Sequence, residues 1–200
     1  MATAIPVDVE VLREEIQKTY TQVSTAPEQE FIFPTGRAWA EDLGYPPERA
    51  NVPQATVESF AGVANPFALG RIEPRMVVLD LGCGAGTDLL IAAQMVGPSG
   101  RVIGIDMTAS MLDRARASAR EMGLENVALH EGLIESLPLD DESVDVVLSN
   151  GVIDLAPDKQ AVFAEIDRVL RPGGRLQIAD VVIHTEVSED GRKRIDLWTG

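Results

Sequence analysis

The chain has 200 residues, 45% hydrophobic and 4% aromatic, with 17 basic against 32 acidic side chains and a formal charge of −15. This length and composition give one globular domain with an aliphatic core, and the charge argues against nucleic acid or an anionic membrane as partner. A single cysteine makes no intramolecular disulfide, the opening MATAIPVDVEVLREE lacks a secretory pattern, and no apolar run approaches the ~18 residues of a bilayer span, so a cytoplasmic location is expected.

Residues 1–70 show no strand pattern. Val9, Leu12, Ile16 and Tyr20 keep helical spacing, and a loop-rich zone follows with Pro27, Pro34, Pro46, Pro47 and Pro53. This segment is expected to form a helical, partly irregular cap over a core domain at 71–200. From Met76 onward, strand-like runs at 76–81, 101–106, 127–131, 144–149 and 174–179 alternate with helical patterns. The runs are short and apolar on both faces, as buried parallel strands are. The first helix starts at Asp88 and stops at Gly97-Pro98. Thr108 is placed to cap the second, with Met111, Ala115, Ala119 and Met122 on one face before Gly123. Asp158 is placed to cap the third, with Val162, Ile166, Val169 and Leu170 inward, and Arg171-Pro172-Gly173-Gly174 reads as a turn into the last strand. The alternation predicts an α/β fold, a doubly wound, Rossmann-like parallel sheet with right-handed crossovers. Nucleotide-binding sheets of this kind usually carry more strands than these five, so truncation after the fifth is expected, with an exposed edge there.

The chemistry gathers in VVLDLGCGAGTD, residues 77–88. The turn Gly82-Cys83-Gly84-Ala85-Gly86 follows a strand and opens a helix, a setting where bare backbone and helix N–H groups meet a ligand. Its glycines run G-x-G-x-G, not G-x-G-x-x-G, and Asp80 and Asp88 stand on either side. Such charge repels a pyrophosphate, which disfavours a nicotinamide dehydrogenase. It attracts a ligand with a cationic amine and a sulfonium, as S-adenosylmethionine has. Asp106 ends the second strand, where an acid can accept from both ribose hydroxyls; the alternative is that it caps the next helix. Leu133 and Ile134, after the third strand, can edge an adenine or pack in the core. Ser149-Asn150-Gly151-Val152, after the fourth, reaches the switch point of the sheet. Asp154 is the candidate to touch an acceptor, with helix entry as its alternative. His130 and His184 have no ligand-like neighbours, so no metal site is expected.

LDLGCGAGTD, GIDMTASML, EGLIESLP, VDVVLSNGVIDLAPDK and RVLRPGGRLQIAD together resemble class I S-adenosylmethionine-dependent methyltransferases, and more narrowly the arsenite methyltransferase group. The resemblance implies that Asp80, Gly82, Gly84 and Gly86 shape the methionine side of the site. It implies ribose contacts for Asp106, adenine contacts for Met107, Leu133 and Ile134, and a cofactor-side position for Asn150. The group's pattern places cysteines in a G-C-G-N-P segment and after Ser-Asn; here those positions hold Val63 and Gly151. Arsenite is a soft centre held by thiolates, and Cys83 sits in the cofactor turn as a small wall residue. The expectation is therefore a methyltransferase for another small-molecule acceptor, with arsenite methylation and a non-catalytic S-adenosylmethionine-binding module as alternatives. The cap, around Tyr20 and the 63–66 loop, is expected to fold over the methyl group.

Overall fold

The computed structural model describes residues 7–198. Three N-terminal helices, α1 (Val9–Thr25), α2 (Gly36–Asp42) and α3 (Gln54–Glu58), precede the first strand. The alternating region then runs β1 (Val77–Leu81), α4 (Thr87–Val96), β2 (Arg101–Asp106), α5 (Ala109–Glu121), β3 (Val127–Glu131), β4 (Val144–Asn150), α6 (Lys159–Val169) and β5 (Leu170–Ala179), with a short α7 (Glu189–Arg192) last. All five strands are parallel, in the order β3-β2-β1-β4-β5. The predicted α/β class and strand positions hold.

Alternation along the strands divides the core in two, because side chains point to opposite faces with a period of two. Leu79, Leu81, Ile103, Ile105 and Val147 pack against Val162, Ile166 and Val169 of α6. Val78, Val102, Val146 and Leu148 pack against Leu89, Ala92 and Ala93 of α4 and Leu112 and Ala115 of α5. Helix α4 is buried nearly all round, since the N-terminal segment lies on its far side: Ala40, Val52, Val57 and Phe60 cover Leu90, Ile91 and Ala119. A helix with no solvent face has no use for an amphipathic pattern, and TDLLIAAQMV has none. That segment also meets the sheet directly at a 3-10 turn, Pro66–Leu69, where Gln177 of β5 donates to the Pro66 carbonyl at 2.7 Å.

One local expectation holds in position but not in its bond, and another is corrected. Thr108 is the N-cap of α5, but its side chain makes no capping bond; Asp106 Oδ1 accepts from the Thr108 N–H at 2.8 Å instead. The 171–174 segment is not a turn ahead of β5 but a bulge within it. Leu170 already pairs with Val144, and pairing resumes at Arg175 with Val146, so the Pro-Gly-Gly residues are extruded from the ladder. Asp158 caps α6 as expected, accepting from the Ala161 N–H at 3.0 Å.

Candidate functional site

The strand order reverses direction at β1, so the crossovers leaving β1 and β4 run to opposite sides and open a crevice at their C-terminal ends. A cavity lies there. The Gly-rich turn and Asp80 form its floor, and residues following β2, β3 and β4 form its sides. Ile16 and Tyr20 of α1, with Phe60, Ala61 and Gly62 of the loop after α3, supply the remaining wall.

The turn is built by backbone that only glycine adopts easily: φ is +63° at Gly82, +52° at Gly84 and +95° at Gly86. At Gly82 space decides as well, because a Cβ there would lie 2.3 Å from Val152 Cγ2. Asp106 fixes the turn from β2, its Oδ2 accepting from the Gly84 N–H at 2.9 Å. Of the two readings of Asp106, the bonds within the protein bear on the helix-entry one. The Asp106 carboxylate steadies the entry to α5 and the glycine turn, accepting from the Thr108 and Gly84 N–H groups, with the Met107 N–H and the Thr108 hydroxyl also in reach.

The electrostatics are lopsided. Asp80 is 2% exposed and Asp88 6%, and each keeps one buried oxygen without a hydrogen-bond partner, Oδ2 of Asp80 and Oδ1 of Asp88. Burial pushes the Asp80 carboxyl well above the usual carboxylate range, and Asp88 and Asp106 push it further. Burial raises Asp88 to about 6, against hydrogen bonding from Asn150 and Tyr45. Asp106 is raised by burial too. Arg13, the cation on the cavity wall, is already paired with Glu135 at 3.0 Å. Bare buried carboxylate oxygens are costly unless something cationic or proton-donating meets them. These residues fit a ligand with a positive amine.

Nine of the ten residues singled out in the sequence stand around this cavity: Asp80, Gly82, Cys83, Gly84, Asp106, Met107, Leu133, Ile134 and Asn150. Gly86 does not line it; it begins α4, and a Cβ there would stand 3.0 Å from Ala115 Cβ. Ile134 is both core and wall, 8% exposed and packed with Leu79 and Leu137's cluster. Burial pushes the Cys83 thiol up, with Asp106 and Asp80 adding to it, so it is a neutral small side chain at pH 7. Asp154 is not on the cavity wall, which Val152 and Leu155 form on either side of it. Nor does it enter the helix. Its carboxyl is pushed up to about 7 by burial and by Asp180, which accepts from the N–H groups of Ile153 and Asp154.

Sequence reasoning missed Tyr45 and the Arg13–Glu135 pair. Tyr45 lies in the proline-rich zone, where no periodicity marks it. Arg13 and Glu135 meet across 122 residues of chain, which no local pattern records. Among the described residues, no group of three or more His, Cys, Asp and Glu is arranged to hold a metal ion. No described helix is long and apolar enough to cross a membrane.

Residues 72–198, the sheet and its crevice, match the methyltransferase domain family. The chain belongs to that family. An arsenite methyltransferase of Halobacterium salinarum is 45% identical over 166 residues, 83% of this chain and 42% of that protein. A nocamycin O-methyltransferase of Saccharothrix syringae is 41% identical over 130 residues, 63% of this chain and 45% of that one. The crystal structure of an arsenic(III) S-adenosylmethionine methyltransferase from Chlamydomonas reinhardtii superposes with a TM-score of 0.61 at 41% identity, covering 66% of this chain and 48% of that one. This methyltransferase domain thus spans less than half the length of each of these relatives.

Proposed function

We propose that this methyltransferase domain binds S-adenosylmethionine in the β1–β4 crevice and transfers its methyl group to a small-molecule acceptor, with neither nucleic acid nor membrane as partner. The observation that carries the reading is the pair of buried, unpartnered carboxylate oxygens, Asp80 Oδ2 and Asp88 Oδ1, on the wall of one cavity beside a glycine turn. When bound, the cofactor supplies an electrophilic methyl on a sulfonium. Asp80 and Asp88 would hold a cationic amine, Asp106 would accept from ribose hydroxyls, Met107, Leu133 and Ile134 would give apolar surface to an adenine, and the 82–85 backbone would leave room for close approach. Tyr20 and Phe60 from the N-terminal segment keep water from that cavity. Methyl transfer is an in-line displacement, so alignment supplies much of the acceleration, the sulfur leaves with the bonding pair as the neutral thioether, and a base is needed only where the acceptor must give up a proton.

The acceptor divides the relatives. Arsenite is favoured by the Halobacterium salinarum relative. Against it, the positions where the family resemblance places thiols are Val63 and Gly151, and they face each other: a Cβ on Gly151 would lie 3.1 Å from Val63 Cγ1. Cys83 is buried and neutral at pH 7. A carbon-, oxygen- or nitrogen-centred acceptor is the reading we adopt. Calorimetry with S-adenosylmethionine, its demethylated product and NAD tests the donor, and no binding of the first would sink the proposal. Labelled methyl donor offered with arsenite and with a panel of hydroxylated, enolic and amine acceptors tests the rest. Arsenite methylated as fast as any other acceptor would overturn the argument from the thiols, and binding without turnover on any acceptor would favour the non-catalytic module.

A further inference from the structure

Asn150 closes β4 at the cavity edge, and its amide is fully spent on protein groups. Oδ1 accepts from the Val63 N–H at 2.8 Å and the Ala64 N–H at 3.3 Å. Both partners are donors, so the amide oxygen must face that loop and the nitrogen must face away from those two N–H groups. Nδ2 then donates to Asp88 Oδ2 at 2.9 Å and to the Tyr45 hydroxyl at 2.8 Å, with the Ala64 carbonyl at 3.0 Å. The Tyr45 O–H has the Ala64 carbonyl at 3.1 Å and the Asp88 carboxylate in reach. Its ring is wedged edge-on against Phe60 and Phe67, centroids 5.2 and 6.0 Å away. Loop and amide fit tightly: a Cβ on Gly62 would lie 2.4 Å from Asn150 Nδ2. The same loop is tied from its other side by Trp39, whose Nε1 donates to the Gly62 carbonyl at 2.7 Å.

We propose that Tyr45 and Asn150 are positioning residues that fasten the 61–64 loop and the Asp88 carboxylate to one another, so that one wall of the cavity and the anion facing the donor's amine are set as a unit. The proposal rests on the S-adenosylmethionine reading. With Oδ2 held by Asn150, the other oxygen of Asp88, Oδ1, is buried without a hydrogen-bond partner in a residue that lines the cavity. The titratable groups around Asp88 are Asp80 from β1 and Tyr45 from the N-terminal segment, with Asp106 of β2 acting on Asp80. Asn150 and Tyr45 are the groups that favour the charged form of Asp88 against burial, so loosening either makes Asp88 harder to ionise. The loop could then adopt other positions while the anion is lost at neutral pH.

The test is calorimetric titration of S-adenosylmethionine into the purified chain across pH 5 to 8.5, with Tyr45→Phe and Gly62→Ala beside the unaltered protein. Tyr45→Phe keeps the packed ring and removes the hydroxyl; Gly62→Ala displaces the Asn150 amide from the loop side. Melting curves establish that each variant is folded. Affinity of the unaltered chain is expected to fall on the acid side as the buried acids of the cavity take up protons, Asp88 near 6 among them. Each variant is expected to bind about tenfold more weakly at pH 7, with the midpoint moved up by about one unit. Hydrogen exchange should rise at the Val63 and Ala64 amides and not along β1. Binding by both variants with unchanged affinity and midpoint overturns the proposal. So does a uniform loss with an unmoved midpoint, the mark of a merely structural role. Failure of the unaltered chain to bind at any pH would overturn the cofactor reading itself.

Discussion

Asp80 and Asp88 are carboxylates that folding has carried where their charge is costly, and this gives the domain a pH dependence of definite sign. Both bind a proton more tightly folded than unfolded, since burial is the first cause of each shift. The stability these two carboxyls contribute without ligand is therefore fully present below the unfolded value of 3.8 and is lost as pH rises, at Asp88 through about 6. Asp145 has the opposite sign: burial raises it, but the Val77 N–H and Arg171 outweigh that and hold it low, so its contribution is lost only in stronger acid. A cationic ligand needs the ionised carboxylates. Melting temperature without ligand should be higher at pH 5 than at pH 8, while the increment given by S-adenosylmethionine should be larger at pH 8. Asp88→Asn should reduce the first trend, with Asp80 and Asp154 carrying the rest, and weaken the second; fluorimetric melts with and without ligand measure both. The acids were legible in the sequence because they flank a glycine turn. That their inner oxygens lack partners was not, since this depends on which side chains arrive from elsewhere.

At the scale of elements, two single changes should separate stability from binding. Asp158 caps α6 and is not among the residues lining the cavity, so Asp158→Ala should cost about 1 kcal/mol and lower the melting point by a few degrees, with S-adenosylmethionine affinity unchanged. Gly82→Ala combines a left-handed φ with a clash against Val152, so it should abolish ligand binding as well as lower stability. Calorimetry on the two variants distinguishes them; an Asp158→Ala chain that loses affinity would contradict the division. Strand positions were readable because buried parallel strands are uninterrupted apolar runs between helix caps. The β5 bulge was not, because Arg171-Pro172-Gly173-Gly174 has the composition of a turn, and only the pairing of Leu170 with Val144 keeps it inside the ladder.

Over the whole molecule the charge of −15 sets the outer field, whereas Asp80, Asp88 and Asp106 act inside the cavity. Surface repulsion is screened over about 10 Å at 0.1 M salt, and buried carboxylates are screened much less. Raising NaCl to about 0.5 M should increase the melting temperature and weaken S-adenosylmethionine binding only modestly. A steep loss of affinity with salt would mean that the attraction comes from the surface field and not from the three acids. The sequence by itself determined the sheet, its helices, the glycine turn and the acids around it, because each is written in a local pattern of hydrophobicity, capping or spacing. Tertiary structure alone decided that Tyr45, Asn150 and the 61–64 loop converge on Asp88, and that Asp154 stands outside the cavity wall. Those are meetings of residues far apart in the chain, fixed by how the N-terminal segment packs on α4 and α5 and by which hydrogen bonds its buried groups must find.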